Sequence, residues 1–309
     1  MTALHDAVND YISLRRSLGF KLEDYPWTLH DFVDYLEAAG ASRVTTELAV
    51  AWAERPGSCT HPSYRGKRLC VVRGFARHLS AFVPDTEIPP TDLLPWQSCR
   101  AAPYIYSNDD VAALMVAARS LRPELRAATY EALVGLLVVT GARVGELIAL
   151  DREDVDVDDE VLVIRYSKFN KSREVPLHPT TAEALGAYAL VRDRLCPRPK
   201  APSFFVSMRK GRLAYETVHH AFSLIAQAAG LEARSERCRP RLHDTRHSFA
   251  CATVLDWYRS GVDVEARLPL LSAYLGHTKP EHTYWYLSAT PELVSLAARR
   301  RELAAGARR

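Results

Sequence analysis

The chain has 309 residues, 48% of them apolar, and a formal net charge of +3 at pH 7. A chain of this length and composition can bury a substantial core and has room for two domains. The small net charge does not by itself indicate a polyanionic partner, so any basic surface must be local.

The six cysteines are scattered along the chain without a C-x-x-C pair. This argues against a disulfide framework and a zinc ribbon, and it favours a reducing cytoplasm. The N-terminus lacks the positive run and apolar block of a signal peptide. The most apolar run, 132–139, is far shorter than the roughly 20 residues that span a bilayer. We therefore expect a cytoplasmic protein without a membrane partner.

The N-terminal region has the pattern of a small all-helical domain. Apolar residues recur at helical spacing in four segments, and a glycine follows each of the first two. The predicted helices cover about 4–18, 29–36, 46–55 and 62–82. We therefore predict that residues 1–83 fold as a helical domain.

The fourth predicted helix carries the densest basic stretch of this region. Its candidates for phosphate contact are Arg65, Lys67, Arg68 and Arg73. One interpretation is an ordinary solvated helix face, where lysine and arginine are common. The other is a surface that follows the phosphates of a nucleic acid. The spacing of these residues leaves both interpretations open.

A proline-rich stretch separates this region from the rest of the chain. Residues 84–106 contain five prolines and little periodicity, which disfavours helix and predicts an interdomain linker. Ser107 and Asp110 have the spacing of a helix-capping box, after which helical periodicity resumes. The second domain is therefore predicted to span 107–309, with a tail helix from about 290.

The second domain is predicted to be mainly α-helical with a small β-hairpin. A buried helix over about 123–140 ends at Gly141, which places Arg143 in a turn before the next helix. Two β-prone runs, 161–166 and 174–177, flank a polar turn. The remaining predicted helices cover about 180–195, 215–229, 242–258 and 268–275.

Several side chains of this domain suit the chemistry of a phosphodiester. His243 and Arg246 are three residues apart, so a helix places both on one face. Arg143 and Arg246 can offer planar donors to the non-bridging oxygens and stabilise the charge of the transition state. A tyrosine hydroxyl could attack phosphorus if a base such as His243 took its proton. Lys168 could protonate the departing oxygen, and His277 could donate a hydrogen bond to the phosphate.

Four motifs lie in order along this domain. They are Thr-Gly-Ala-Arg-Val-Gly-Glu-Leu at 140–147, Ser-Lys-Phe-Asn-Lys at 167–171, His-Asp-Thr-Arg-His-Ser-Phe-Ala at 243–250, and Leu-Gly-His at 275–277, followed by Tyr286. The set resembles the tyrosine recombinase, or phage integrase, family. The resemblance implies six catalytic residues, namely Arg143, Lys168, His243, Arg246, His277 and Tyr286.

Two positions next to these motifs carry alternatives. Phe169 stands where the family often has glycine, so Lys171 is the alternative to Lys168 as the proton donor. Lys171 is also a candidate for contact with DNA. Glu146 could orient Arg143 without touching DNA, or it could simply be solvated.

The nucleophile and a metal site also have alternatives. Tyr284 is the other candidate nucleophile, but on a helix it projects about 200° away from Tyr286, and the family spacing from His277 favours Tyr286. His243 and His247 are four residues apart and could bind zinc, but no third ligand or H-E-x-x-H pattern accompanies them. We therefore expect no metal.

The resemblance also implies an architecture and an activity. The expected architecture is a two-domain, C-shaped clamp on DNA, with a helical core-DNA-binding domain of the SAM-like type before the catalytic domain. Members of the family cleave and rejoin DNA at specific sites through a covalent 3′-phosphotyrosine, and they exchange strands through a Holliday junction without metal, ATP or another cofactor. The expected partner is therefore double-stranded DNA in the nucleoid, bound by a homo-tetramer or by a hetero-tetramer with related recombinases. The protein off DNA could be a monomer.

Three rival functions remain at this point. The chain could be a catalytically inactive DNA-binding subunit of a transposition system, a type IB-like topoisomerase or a metal-dependent nuclease. The complete set of catalytic residue types argues against the first. The sequence does not separate integrase, resolvase and transposase.

Overall fold

The computed structural model describes residues 3–55, 62–94, 102–165, 172–277 and 281–284, apart from the side chains at 62, 281 and 282. The chain divides into two compact units, residues 1–100 and 101–309. The sequence predictions for Lys168, Lys171, Tyr286 and the tail helix lie outside the described residues. Across the described ranges, no helix has the length and apolar character needed to cross a membrane.

The described residues of the first unit form a cluster of four helices, as the apolar periodicity predicts. The helices are α1 (Ala3–Ser17), α2 (Tyr25–Ala38), α3 (Thr46–Glu54) and α4 (Pro62–Leu79). Their apolar faces meet around Phe32, Trp52 and Phe75, which are fully buried. The rings of Phe32 and Trp52 pack edge to face with centroids 5.0 Å apart, an arrangement that aromatic pairs favour.

The second unit is mainly helical, and its helices predicted before residue 276 are confirmed. The helices are α5 (Asn108–Arg119), α6 (Glu124–Thr140), α7 (Val144–Ala149), α8 (Pro179–Leu195), α9 (Tyr215–Ala228), α10 (Asp244–Arg259), α11 (Val264–Leu275) and α12 (Glu281–Tyr284), with a 3₁₀ turn at Arg152–Asp154. The capping box at the start of α5 is also confirmed, because Ser107 Oγ accepts the backbone N–H of Asp110 at 3.1 Å and the Asp110 carboxylate accepts that of Ser107 at 2.9 Å.

A small antiparallel sheet completes the second unit. Its strands β1 (Val155–Asp156), β2 (Val161–Ile164) and β3 (Arg173–Pro176) lie in the order β1-β2-β3. The predicted hairpin corresponds to β2 and β3. Strand β1 was not predicted, because two residues are too few to show the alternation of a strand. The prediction of a mainly α fold with a small sheet is confirmed, whereas the C-shaped arrangement of the domains stays a prediction.

The segment that leads into α5 packs within the second unit. Tyr104 and Tyr106 lie at the end of the predicted linker, yet both side chains are buried in the core of this unit. The ring of Tyr106 packs edge to face on Phe222, with centroids 6.4 Å apart. Burial of the two rings, which bring a large apolar area, accounts for this placement. We call residues 102–106 the entry segment.

Candidate active site

Arg246 is a buried arginine that joins the ends of two helices. Its side chain lies on α10 and is 1% exposed. Nη1 donates to the carbonyl of Gly141 at 2.9 Å, after the end of α6, and Nη2 donates to the carbonyl of Leu275 at 2.6 Å, at the end of α11. Carbonyls at helix C-termini lack partners within the helix and carry partial negative charge. The guanidinium therefore fixes both helix ends beside α10.

The turn that carries Arg143 depends on glycine. Gly141 caps α6 with φ of 60°, a conformation that glycine adopts without steric cost. A Cβ atom at this position would lie 2.6 Å from Cδ1 of Phe249 and 3.2 Å from Cδ2 of Leu275. Both the backbone conformation and the close packing therefore require glycine two residues before Arg143.

Glu146 lies between two arginines. Arg143 Nη1 donates to Glu146 Oε1 at 2.8 Å, and the backbone N–H of Arg143 donates to Oε2 at 3.0 Å. From the other side, Arg173 donates to Oε2 at 2.8 Å and to Oε1 at 3.2 Å. The Glu146 side chain is 7% exposed. The expected contact between Glu146 and Arg143 is thus present.

The charge state of Glu146 follows from these contacts. Burial by itself raises the pKa of its carboxyl, but the hydrogen bonds and positive charge of Arg173, together with those of Arg143, bring the pKa below its usual value. Glu146 is therefore ionised at neutral pH.

Arg173 was not identified from the sequence as a site residue. It begins β3, and its Nε donates to the carbonyl of Tyr274 at 2.9 Å, near the end of α11. A signal for its position exists in the sequence. Side chains two residues apart lie on the same face of a strand, and Val175 is a buried residue of the core. Arg173 therefore points to the interior side of the sheet.

His243 stands at the start of α10 and is favoured in its neutral form. Burial lowers the pKa of the imidazole, and the nearby positive charge of Arg246 lowers it further, against an opposing effect of Asp244. Arg143 and Arg241 lower it as well. A neutral imidazole at neutral pH can accept a proton.

The first turn of α10 is held by the entry segment. Asp244 Oδ2 accepts the backbone N–H of Tyr104 at 3.2 Å and Nε of Arg241 at 2.9 Å. Ser248 Oγ accepts the backbone N–H of Tyr106 at 2.8 Å and donates to the carbonyl of Asp244 at 2.9 Å. These contacts fix the part of α10 that carries the predicted base.

His277 follows the glycine that caps α11. Gly276 has φ of 67°, and the backbone N–H of His277 donates to the carbonyl of Ser272 at 2.9 Å. Its Nδ1 lies 2.9 Å from Oγ1 of Thr283, a buried residue of α12. Thr283 was not identified from the sequence, because it is six residues from His277, whereas side chains that touch along a helix are three or four residues apart.

The structure brings four of the six predicted catalytic residues into one neighbourhood. Arg246 bonds to the carbonyls two residues before Arg143 and two residues before His277. Arg143 Nη2 reaches the carbonyl of Gly276 at 3.5 Å. The charges of Arg143 and Arg246 both act on His243. Such a group of donors with a neutral base is suited to binding an anion and moving a proton.

The two remaining predicted catalytic residues, Lys168 and Tyr286, lie outside the described residues, as does the alternative acid Lys171. The alternative nucleophile Tyr284 belongs to the described part of the chain, where its side chain is exposed on α12.

The basic residues of α4 fall into two groups. The Arg68 guanidinium lies 3.8 Å from the centroid of the Trp52 ring and 3.1 Å from a carboxylate oxygen of Asp31, and its side chain is 11% exposed. Arg73 donates to the carbonyls of residues 89 and 90, each at 2.6 Å. Arg65 and Lys67 are exposed. The contact of all four with DNA stays a prediction.

One group of side chains in the described ranges has the spacing of metal ligands. His5 Nε2 lies 3.1 Å from Asp34 Oδ1 and 3.8 Å from Glu37 Oε1 in the first unit. A protonated histidine would make ion pairs with the same two carboxylates. This group contains none of the predicted catalytic residues.

Comparison with known proteins gives consistent matches. The phage integrase family model matches residues 105–292. A Sinorhizobium fredii protein provisionally named integrase/recombinase y4rB is 44% identical over 308 residues, which cover 98% of each chain. The tyrosine recombinase XerD of Mycobacterium tuberculosis is 30% identical over 235 residues, covering 72% of this chain and 69% of its own.

A solved structure shares the fold. The XerH site-specific recombinase, bound to a palindromic difH substrate in a post-cleavage complex, has a TM-score of 0.66 and 18% identity to this chain. The match covers 90% of this chain and 79% of that one.

Proposed function

Because this chain belongs to the phage integrase family, we propose that it is a site-specific recombinase that breaks and rejoins DNA. The observation that carries the proposal is the position of Arg246, which bonds to the two turns that lead to Arg143 and His277. This arrangement gathers two guanidinium groups and a histidine beside the neutral imidazole of His243. The site is thereby suited to a phosphodiester.

In this proposal the arginines hold the scissile phosphate. Arg143, whose side chain is 29% exposed, and the buried Arg246 would bind the non-bridging oxygens and stabilise the additional charge of the transition state. His277, oriented through its Nδ1 contact with Thr283, would donate a hydrogen bond to the same phosphate. Glu146 would keep Arg143 in place without touching the DNA.

The chemical step is an exchange of one phosphodiester for another. The hydroxyl oxygen of Tyr286 attacks phosphorus, His243 takes the phenolic proton, and the bond to the 5′ oxygen breaks. Lys168 gives the departing oxygen a proton. The products are a 3′-phosphotyrosine and a 5′-hydroxyl, which can attack a second such linkage in reverse. The bond energy is conserved, so the step requires neither ATP nor a metal.

Complete recombination requires two such exchanges through a Holliday junction. We therefore propose that the protein acts on specific sites in double-stranded DNA as a homo-tetramer, or as a hetero-tetramer with related recombinases. Residues 107–309 would catalyse the reaction, residues 1–83 would bind the core site, and residues 84–106 would link them. The last residues of that linker, Tyr104 and Tyr106, also pack in the second unit.

The test is covalent capture. Binding sites are selected from a library of duplexes that includes DNA flanking the gene, and a selected site is nicked so that the cleaved strand is released. We expect a protein-DNA adduct that resists denaturant with the wild type and with Tyr284→Phe, but not with Tyr286→Phe. An undiminished adduct in Tyr286→Phe would refute the assignment of the nucleophile.

The adduct assay, together with relaxation of supercoiled DNA, separates the rival functions. A catalytically inactive subunit would bind the duplex and form no adduct. A metal-dependent nuclease would lose its activity in EDTA, whereas we expect adduct formation to continue. A type IB-like topoisomerase would relax supercoiled DNA that lacks the selected site, whereas a site-specific recombinase requires that site.

A further inference from the structure

We propose that Arg173 is a positioning residue of the cleavage site, which acts through Glu146 on Arg143 and anchors β3 beside the turn that carries His277. The inference rests on the proposed function, because it concerns how that site is held. Arg173 would not touch the DNA.

The first argument concerns charge. Two guanidinium groups share the single buried carboxylate of Glu146, since Arg143 and Arg173 each approach it to 2.8 Å. One positive charge therefore remains in the group of three and is available to a phosphate near Arg143. Without Arg173, Glu146 would pair with Arg143 alone and cancel the charge on which phosphate binding depends.

The second argument concerns the turn before His277. Arg173 Nε donates to the carbonyl of Tyr274 at 2.9 Å. Its guanidinium also packs on Gly276, where a Cβ atom would lie 2.7 Å from Nη1 and 3.0 Å from Cζ of Arg173. From β3, Arg173 thus contacts both α7 and α11. Through Glu146 it reaches the partner of Arg143, and through Gly276 it reaches the residue before His277.

A purely structural role is the alternative. Arg173 could stabilise the sheet, and its loss could then lower stability without a specific effect on cleavage. Arg165 provides a matched control, because it belongs to the same hairpin, follows β2, and pairs with Asp154 and Glu153 away from Arg143 and Glu146. The two arginines carry the same charge, but they differ in their partners and in exposure, since the side chain of Arg165 is 47% exposed and that of Arg173 is 13% exposed.

The first measurement is the rate of adduct formation at saturating DNA. A displacement of about 1 Å in a reacting group can cost on the order of 100-fold in rate. We expect a loss of about that size in Arg173→Gln, partial recovery in Arg173→Lys, and a rate near that of the wild type in Arg165→Gln. A wild-type rate in Arg173→Gln would overturn the inference.

The second measurement follows the carboxyl of Glu146 directly. Its ¹³C resonance is titrated by NMR and assigned with Glu146→Gln. The charged groups that face this carboxyl are Arg143, at the start of its own helix, and Arg173, from β3. Burial raises the pKa of Glu146, and Arg173 opposes this effect. We therefore expect Glu146 to protonate at higher pH in Arg173→Gln than in the wild type, and at an intermediate pH in Arg173→Lys.

The two measurements separate the possible failures. A protein that forms no adduct but shows the shift at Glu146 would contradict the proposed function and support the action of Arg173 on Glu146. An unchanged titration in Arg173→Gln would overturn the inference even if cleavage were slower. If Arg173→Gln does not fold, Arg173→Lys decides the matter, and wild-type behaviour in both measurements would overturn the inference.

Discussion

Thr283 holds His277 through a hydrogen bond between Oγ1 and Nδ1, at 2.9 Å. The threonine is 1% exposed and belongs to α12, which ends two residues before Tyr286. The contact therefore links His277, the proposed hydrogen-bond donor to the phosphate, to the helix that precedes the proposed nucleophile. It gives a buried hydroxyl a function that its sequence position does not suggest.

Thr283→Val should slow cleavage without preventing DNA binding. Valine matches threonine in shape but cannot bond to the imidazole. Loss of a hydrogen bond worth about 0.5 to 1.5 kcal/mol corresponds to a decrease of about 2- to 13-fold in the rate of adduct formation. The control is Thr253→Val, whose hydroxyl donates to the carbonyl of Phe249 within α10. Equal losses in both variants would contradict a specific role for Thr283.

Cleavage should persist at pH values below those usual for a histidine base. The lowered pKa of His243 keeps its imidazole neutral, and therefore able to accept a proton, in weakly acidic solution. Since kcat/KM reports the free enzyme, its acid limb should have a midpoint below the ordinary histidine value of about 6.5. The measurement is single-turnover cleavage at subsaturating DNA across pH.

The control for this profile is His220→Gln, which replaces an exposed histidine of α9 and should leave the acid limb unchanged. An acid midpoint at or above the ordinary histidine value in the wild type would contradict the assignment of His243 as the base.

Gly141→Ala should destabilise the second unit more than an alanine at another left-handed glycine. Both the positive φ and the close approach of Phe249 oppose a Cβ atom, and overpacking typically costs about 1 to 3 kcal/mol. Gly230→Ala is the control, because Gly230 has φ of 72° but nothing within 4 Å of the added Cβ. Urea unfolding would measure both free energies. A smaller loss of unfolding free energy in Gly141→Ala than in Gly230→Ala would contradict the close packing of Phe249 on Gly141.

Ser248→Ala should lower the free energy of unfolding, because it removes a hydrogen bond between α10 and the entry segment. The backbone N–H of Tyr106 donates to Ser248 Oγ at 2.8 Å. In Ser248→Ala this buried N–H loses its acceptor. Such a loss costs about 1 to 3 kcal/mol. Ser223→Ala removes an exposed hydroxyl that bonds within α9, and its effect should stay within about 0.5 kcal/mol. Equal urea midpoints for the two variants would contradict this role of Ser248.

The exposed residues Arg65 and Lys67, the latter 4.0 Å from a carboxylate oxygen of the exposed Asp24, should behave differently from the largely buried Arg68. Arg65→Ala and Lys67→Ala should weaken DNA binding with little change in stability, and each should reduce the slope of log K against log salt by about one. Arg68→Ala should instead destabilise the first unit, because it removes the contacts with Trp52 and Asp31. Salt titration of DNA affinity and thermal unfolding distinguish the two classes. Unchanged binding in Arg65→Ala and Lys67→Ala would refute their role.

The sequence was sufficient to locate most of the helices, because they are long and their apolar residues recur at a regular spacing. The motifs that resemble the family also predicted Arg143, His243, Arg246 and His277 as site residues, and the structure brings these four together. The ion pair between Glu146 and Arg143 has the same origin, because the two residues are three apart.

The supporting contacts could not be predicted in this way, because their partners are distant in the sequence. Arg173 is 27 residues from Glu146 and 101 from Tyr274, and Tyr106 is 142 residues from Ser248. A period of two or 3.6 residues reports which face of an element is buried, but not which element covers it. Only the fold brings these pairs together.

The hydrogen bonds between the entry segment and α10 also determine at which residue a shortened form of the protein can begin. A recombinant fragment that began at residue 107 would lack Tyr104 and Tyr106. Its core would lose two aromatic rings, and Asp244 and Ser248 would each lose one backbone hydrogen-bond donor. Such a fragment would expose apolar surface and tend to aggregate. A fragment that begins at or before residue 102 keeps these contacts and is the better choice for expression and crystallisation.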